Sequence, residues 1–559
     1  MWACGSSSTF LASALGIRRI RTQGRSAVYT LEASITDCHD SESSGPRKVV
    51  VVGTGWAGLG AAHHLCKQGF EVTVIGGHGG SSVSSEDSIF DRFDASLIHA
   101  FRQPSRNIFT LCNELEIQPF TNLMTSAVYS SESLEVKFPI FQNVPRLPSP
   151  LGTFVYPEFL NLSFFDRLTL LPLISAVCGL PVSTIISTLK LLVSSILTFF
   201  FSFPSSFLST VTARELFRQV GCSEKLYRAV INPMIQVCQS HITLSLPISF
   251  NGLIQVFLEE YNSQDFDVVW CSGSIGEKIF RPWMAFMEEK GCQFLKSRRI
   301  TDFSLNEETG KISELICGDE TFLVDAIVFA VGVTELQHVI AASTLLQSRK
   351  EFLDVYNLRA VDVIAVRLWF DRKVKILRAG NIYSGVDDSA GWAFFDLNSL
   401  HEEYKDEAGS VIEANIYHAN QFLHLQDEQV VAKVRSVLSS CIEGVEGAAV
   451  VKHLVLRCPE TATLFFPGSY KFMMRGSTSF PNLFMAGDCI VNRHGSWSQE
   501  KAYVTGLEAA NNVVDHLGEG EFAKIIAVEE DEPHIEALRS LNRNVNDIRS
   551  QVPLFDYLI

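Results

Sequence analysis

Three glycines in Gly53-Thr54-Gly55-Trp56-Ala57-Gly58 are the residues whose type and spacing point most directly to chemistry. They follow the valine run Val49 to Val52. An apolar pattern at helical spacing comes after them, reaching Lys67 and stopping at Gly69. Strand, glycine turn and helix in that order make a binding site for a dinucleotide pyrophosphate. Gly53 permits the tight turn, Gly55 lets backbone approach the phosphates, and Gly58 lets helix and strand pack closely. The pyrophosphate sits on the helix N-terminus, at Trp56 and Ala57, where free N–H groups and the helix dipole favour an anion. The plain alternative is a glycine turn with no ligand. A second strand, Glu71 to Ile75, follows at the right distance and argues against it.

That second strand should end on an Asp or Glu that holds a ribose hydroxyl. This chain has Gly76 there, then Gly77-His78-Gly79-Gly80. The missing bond is charge-assisted and worth about 1.5–3 kcal/mol. That corresponds to roughly one to two orders of magnitude in affinity, so weakened binding is expected rather than none. Glu86 and Asp87 are candidates to replace the acid from the following loop.

Far along the chain, Asn482 to Met485 runs as a short apolar strand into Ala486-Gly487-Asp488. A helical segment carrying Ser498-Gln499-Glu500-Lys501-Ala502 and Thr505-Gly506 comes next. Together the two ends resemble the flavin-dependent amine oxidase superfamily, and within it the phytoene and ζ-carotene desaturase-like branch. Further matches are Arg106 to Ile117, the segment from Gly273 to Phe303, and the apolar strand ending at Gly332. The likeness covers most of residues 47–518.

The resemblance implies FAD as cofactor. It implies Gly487 and Asp488 beside the ribityl-phosphate portion, and a helix with Ser498 and Ala502 closing on the flavin. It also implies a backbone near Ile300 that meets adenine. Lys501 departs from the family pattern, which has a small residue there. Lys501 and Arg493 are read either as cations for reduced flavin or phosphate, or as a solvated surface. His494, with Trp497 close by, reads as a hydrogen-bonded structural histidine before it reads as a substrate contact. No Ser-His-Asp pattern, paired carboxylates or metal-ligand spacing is present, and flavin enzymes need little of it, because the cofactor carries the hydride chemistry.

The elements that must position these residues are those of an α/β protein. The expected fold is a discontinuous Rossmann-type FAD-binding domain with a second mixed-sheet and helical substrate domain. The FAD-binding parts are 47–130, 265–340 and 478–520, and the substrate domain takes 131–264 and 341–477. Leu368 to Ile376 and Gly391 to Leu397 alternate as strands of its sheet. Residues 521–559 form a C-terminal tail.

At 559 residues with 47% hydrophobic and 19% charged content, the chain can bury a large core. A net charge of −16 argues against a nucleic-acid partner. The 13 cysteines are scattered without CxxC spacing and read as reduced thiols. Residues 1–45 are rich in Arg, Ser and Ala with no acid before Glu32, which reads as a transit peptide and linker. The resemblance favours a chloroplast address, with the mitochondrion as the alternative. Leu168 to Leu189 and Leu191 to Ala213 are uncharged, but Pro172, Pro181 and Pro204 interrupt them. They read as monotopic membrane contact through 160–210 that admits an apolar small-molecule substrate. A buried core segment and a transmembrane pair are the competing readings. The expected activity is desaturation or isomerisation of an isoprenoid or carotenoid-like compound. An amine oxidase-like enzyme and a non-catalytic, membrane-associated member of the fold are the alternatives.

Overall fold

The computed structural model describes residues 45–76, 97–131, 134–147, 155–169, 212–219, 221–233, 266–384, 390–492, 494 and 498–527, with a few isolated positions. The loop from Gly77 to Gly80, Glu86, Asp87, Arg493, Trp497 and most of the uncharged middle lie outside these residues. So does the N-terminal segment up to Ser44. The chain divides into two compact units, Met1–Gly45 and Pro46–Ile559, and the strands and helices described here all belong to the second.

Five strands form a parallel sheet: β1 (Lys48–Val52), β2 (Glu71–Gly76), β3 (Gln293–Lys296), β4 (Ala326–Phe329) and β5 (Leu483–Met485), in the order 5-4-1-2-3. A strand inside a parallel sheet is covered on both faces, so it is apolar throughout rather than alternating. β1 shows this residue by residue. Val49 and Val51 enter one core cluster with Leu59, Trp283 and Val513, while Val50 and Val52 enter another with Phe303, Leu315 and Phe329. Three helices supply the first cluster: α1 (Trp56–Lys67), α3 (Arg281–Glu289) and α5 (Gln499–Leu517). A fourth helix, α2 (Arg106–Glu114), adds Ile108, Leu111 and Cys112 to it. Every residue of α1 from Trp56 to Cys66 is buried, His63 and His64 included, because helices flank it as well as the sheet. A three-stranded antiparallel sheet (Asp302–Leu305, Ile312–Cys317, Glu320–Leu323) contributes to the opposite cluster.

A second, eight-stranded sheet is mixed. Its order is Val450–Leu464, Arg359–Phe370, Val411–Tyr417, Gly391–Asp396, Gly380–Tyr383, Ser126–Tyr129, Leu134–Lys137, Glu158–Phe159. All neighbours are antiparallel except Gly380–Tyr383 against Ser126–Tyr129. One face packs on helix α4 (Asp427–Cys441). The other holds Val363, Ala365 and Phe395 with Leu97, Ile98 and Trp270. Gly391–Asp396 is a strand as its alternation predicts. The Leu368–Ile376 run is a strand only as far as Phe370, where Asp371 and Arg372 pair with one another and turn the chain. Among the described residues, no helix is long and apolar enough to cross a membrane.

Candidate functional site

β1 and β4 are neighbours, but the chain leads from them to opposite edges of the sheet, β1 toward β2 and β3, β4 toward β5. A doubly wound sheet opens its ligand crevice at that point, beyond the C-terminal ends of the strands. Gly53 stands there with φ of +120°. Its N–H donates to Ile75 O at 2.8 Å, and Ala330 N donates to Val52 O at 2.7 Å. A Cβ on Gly53 would lie 2.0 Å from Ala330 O, and one on Gly58 would lie 2.0 Å from Gly53 O. Any side chain at either position would push apart the turn, the strand end or the helix.

Gly55 caps α1 without a side-chain hydrogen bond, and the first turn of α1 has no acid. Its N–H groups are therefore left for an anion. Trp56 contributes only backbone to this turn. Its indole is 2% exposed and packs on Phe101, Phe280 and Trp283 at 5.9, 5.1 and 5.9 Å between ring centroids. Ala57 contributes backbone too, since its carbonyl oxygen is where α5 crosses α1. A Cβ on Gly506 would sit 2.1 Å from Ala57 O. The crossing brings α5, at Gly506, to the first turn of α1.

At the end of β5, Gly487 has φ of +126°, and its N–H donates to Thr505 Oγ1 at 2.9 Å. Asp488 Oδ1 accepts from Thr463 Oγ1 at 3.1 Å, and Asp488 O accepts from Lys501 Nζ at 2.7 Å. Burial pushes the Asp488 carboxyl upward, and the Lys501 charge opposes that rise. Lys501 is 1% exposed, so it is no part of a solvated surface. A buried cation in the first turn of a helix works against both desolvation and the helix dipole. Asp488 and the Phe465 ring, 5.7 Å from Nζ, partly offset this.

Ser498 caps α5, its Oγ accepting from Lys501 N at 3.0 Å. Ala502 packs against the α1 cluster. Ile300 has its side chain in the core with Val50 and Ile75, so it can offer a ligand only backbone. His494 is held by Asn492 Oδ1 and Ile526 O at 3.2 and 3.1 Å, in keeping with a structural histidine.

The residue that sequence reasoning passed over is Glu500. Its carboxylate accepts from Asn107 N, Asn107 Nδ2 and Ile108 N at 2.8, 2.6 and 3.0 Å, which satisfies the free N–H groups at the start of α2. Burial pushes its carboxyl up and these bonds hold it down. The sequence carries no local signal for this role, because Asn107 on α2 lies 393 residues earlier in the chain. Thr463 and Thr505 carry none either, since their partners Asp488 and Gly487 lie on a different element.

A family profile described as flavin containing amine oxidoreductase matches residues 56–514. The chain belongs to this family. It is an FAD-dependent oxidoreductase. Solved structures agree at the level of fold. Cyclohexylamine oxidase from Brevibacterium oxydans IH-35A is 12% identical, with a TM-score of 0.60 over 85% of this chain and 100% of that one. Putrescine oxidase is 13% identical, with 0.56 over 84% and 99%. An oxidoreductase from Methanosarcina mazei is 14% identical, with 0.53 over 82% and 99%. No curated protein matches.

The residues present fit the cofactor where the phosphates are concerned. Gly53 and Gly58 keep the turn open to backbone, and the first turn of α1 would hold the pyrophosphate. Gly487, Asp488 and the start of α5 would hold the flavin half. Bound FAD supplies hydride acceptance. The chain's own part is to orient the substrate and exclude water, and the buried Lys501 adds positive charge at the second of these places.

Proposed function

We propose that this amine oxidase family member acts on an apolar, isoprenoid-like substrate at a membrane surface, either desaturating it, with hydride passing to FAD and a proton released, or isomerising it with no net change at the flavin. The observation that supports this reading is an apolar surface ahead of the uncharged middle of the chain. Val155, Leu160, Phe164 and Phe165 are 60, 49, 63 and 79% exposed. The Arg167 guanidinium lies 5.3 Å from the Phe159 ring and 6.0 Å from the Phe164 ring. Exposed aromatics beside a cation suit a headgroup boundary. The uncharged stretch beginning at Leu168 continues this character in sequence. An Arg- and Ser-rich N-terminus suits delivery to an organelle, and the isoprenoid reading favours a plastid over a mitochondrion.

The second reading is oxidation of an amine. Cyclohexylamine oxidase and putrescine oxidase share the fold, which favours it. Anaerobic mixing separates the two. With an acyclic C40 polyene presented in vesicles, loss of the visible flavin absorbance is expected for desaturation, and a rearranged polyene with the absorbance unchanged is expected for isomerisation. Loss of absorbance with cyclohexylamine or putrescine, and neither outcome with the polyene, would overturn the proposal.

A further inference from the structure

Gly76 stands where a dinucleotide site of this type carries its acidic ribose contact. Backbone conformation does not require glycine there, because Gly76 is not among the residues with positive φ. Space does. A Cβ built on Gly76 would lie 2.2 Å from Thr54 Cγ2, 2.9 Å from Thr54 Oγ1 and 3.1 Å from Thr54 Cβ. Thr54 is only 4% exposed, and it is branched at Cβ, which leaves few rotamers. Its backbone has little room to retreat. Gly53 is pinned by its bond to Ile75 O and by its approach to Ala330 O. Gly76 is held from the other side, where its carbonyl accepts from Ser297 N at 2.8 Å.

We propose that Thr54 and Gly76 are a matched pair. The threonine side chain fills the volume that any side chain at 76 needs, and the ribose end of the dinucleotide is held without a carboxylate from β2. The specificity-determining residue at this subsite is thus Thr54, inside the glycine turn. Affinity comes from the pyrophosphate turn and the flavin end. This inference rests on the flavin reading for its ligand, but the pairing itself is a property of the apoprotein. One consequence is that an acid returned to β2 alone does not recover the ribose contact. The threonine has to leave first.

The test compares full-length wild type with Gly76→Glu, Thr54→Gly and the double variant, titrating apoprotein with FAD by quenching of flavin fluorescence. The double variant is expected to bind FAD about ten- to a hundredfold more tightly than Thr54→Gly, the factor of one charge-assisted hydrogen bond. Gly76→Glu alone is expected to bind at least tenfold more weakly than wild type. Binding by Gly76→Glu as tight as that of the double variant would overturn the proposal. A urea-unfolding cycle of Gly76→Ala with Thr54→Gly, run without flavin, covers the case in which the Glu variant does not fold. A cycle in which Thr54→Gly rescues Gly76→Ala supports the pair, and strict additivity overturns it. If no variant binds FAD while the cycle shows rescue, the flavin reading fails and the matched pair stands.

Discussion

His418 follows the central strand Val411–Tyr417 in a left-handed backbone, φ 58° and ψ 45°. It is 5% exposed, and burial lowers its pKa from the ordinary 6.5 to about 4. The unfolded chain therefore takes up this proton at a higher pH than the folded one. Stability contributed by the neutral ring is lost as pH falls from about 6.5 toward 4, and the loss is complete below that window. A shift of this size is worth roughly 3 kcal/mol. His418→Asn keeps a residue that tolerates left-handed backbone and removes the titration. We expect its unfolding free energy, measured in urea between pH 7 and pH 4, to fall less steeply than that of wild type. His401 keeps part of the slope. Its pKa is also lowered to about 4, by burial and by the Arg367 charge.

Among elements, the contact that matters most to the site is the crossing of α1 and α5. Gly506 meets the Ala57 carbonyl, and Gly60 meets the Tyr503 ring, where a Cβ would come within 2.8 Å of a ring carbon. Helix backbones can approach this closely only at glycine. Gly506→Ala would gain helix propensity of about 1 kcal/mol. It would also force the helices apart, and overpacking of this kind costs about 1–3 kcal/mol, more when the obstacle is backbone. The second effect wins, because the 2.1 Å approach cannot be relieved by rotating a side chain. We expect Gly506→Ala to unfold at lower urea than wild type and to lose flavin more readily on gel filtration, since the first turn of α1 is displaced along with α5. Glu500 adds a second tie between elements, from the same helix to the start of α2.

At the scale of the molecule, the residues after α5 close the structure over the α1 face. Glu521 O is bonded to His64 Nε2 at 2.7 Å, and Glu521 N donates to Gln68 Oε1 at 2.8 Å. Ala523 N donates to Asn511 Oδ1 at 2.6 Å, and Ile526 N donates to Asn107 Oδ1 at 2.8 Å. Residues 521–526 thus tie α1, α2 and α5 to one another, and the first part of the expected tail is a strap. A chain ending at Gly520 loses these bonds and leaves Asn107 partly unsatisfied. At about 1 kcal/mol for each lost bond, a destabilisation of a few kcal/mol is expected. A urea midpoint equal to that of the full chain would show the strap to be dispensable.

Much of this was legible in the sequence, for local reasons. The turn from Gly53 to Gly58 is legible because a tight turn, a positive φ and a close helix each need glycine within a few residues of one another. The strand at Val49 to Val52 is legible because burial on both faces leaves no polar position. The strand Leu483–Met485 with the turn to Asp488, and the family itself, follow from motif residues that stay together in sequence. What tertiary structure alone decided are the contacts between residues far apart in the chain. The burial of Lys501 depends on where Asp488 and Phe465 lie, and a lysine in a helix ordinarily faces water. The grip of Glu500 on α2 spans most of the chain. The empty place at Gly76 reads in sequence as a lost acid. In the fold it is volume already taken by Thr54, because the turn after one strand packs against the end of the next, and no one-dimensional pattern records which side chain fills a shared space.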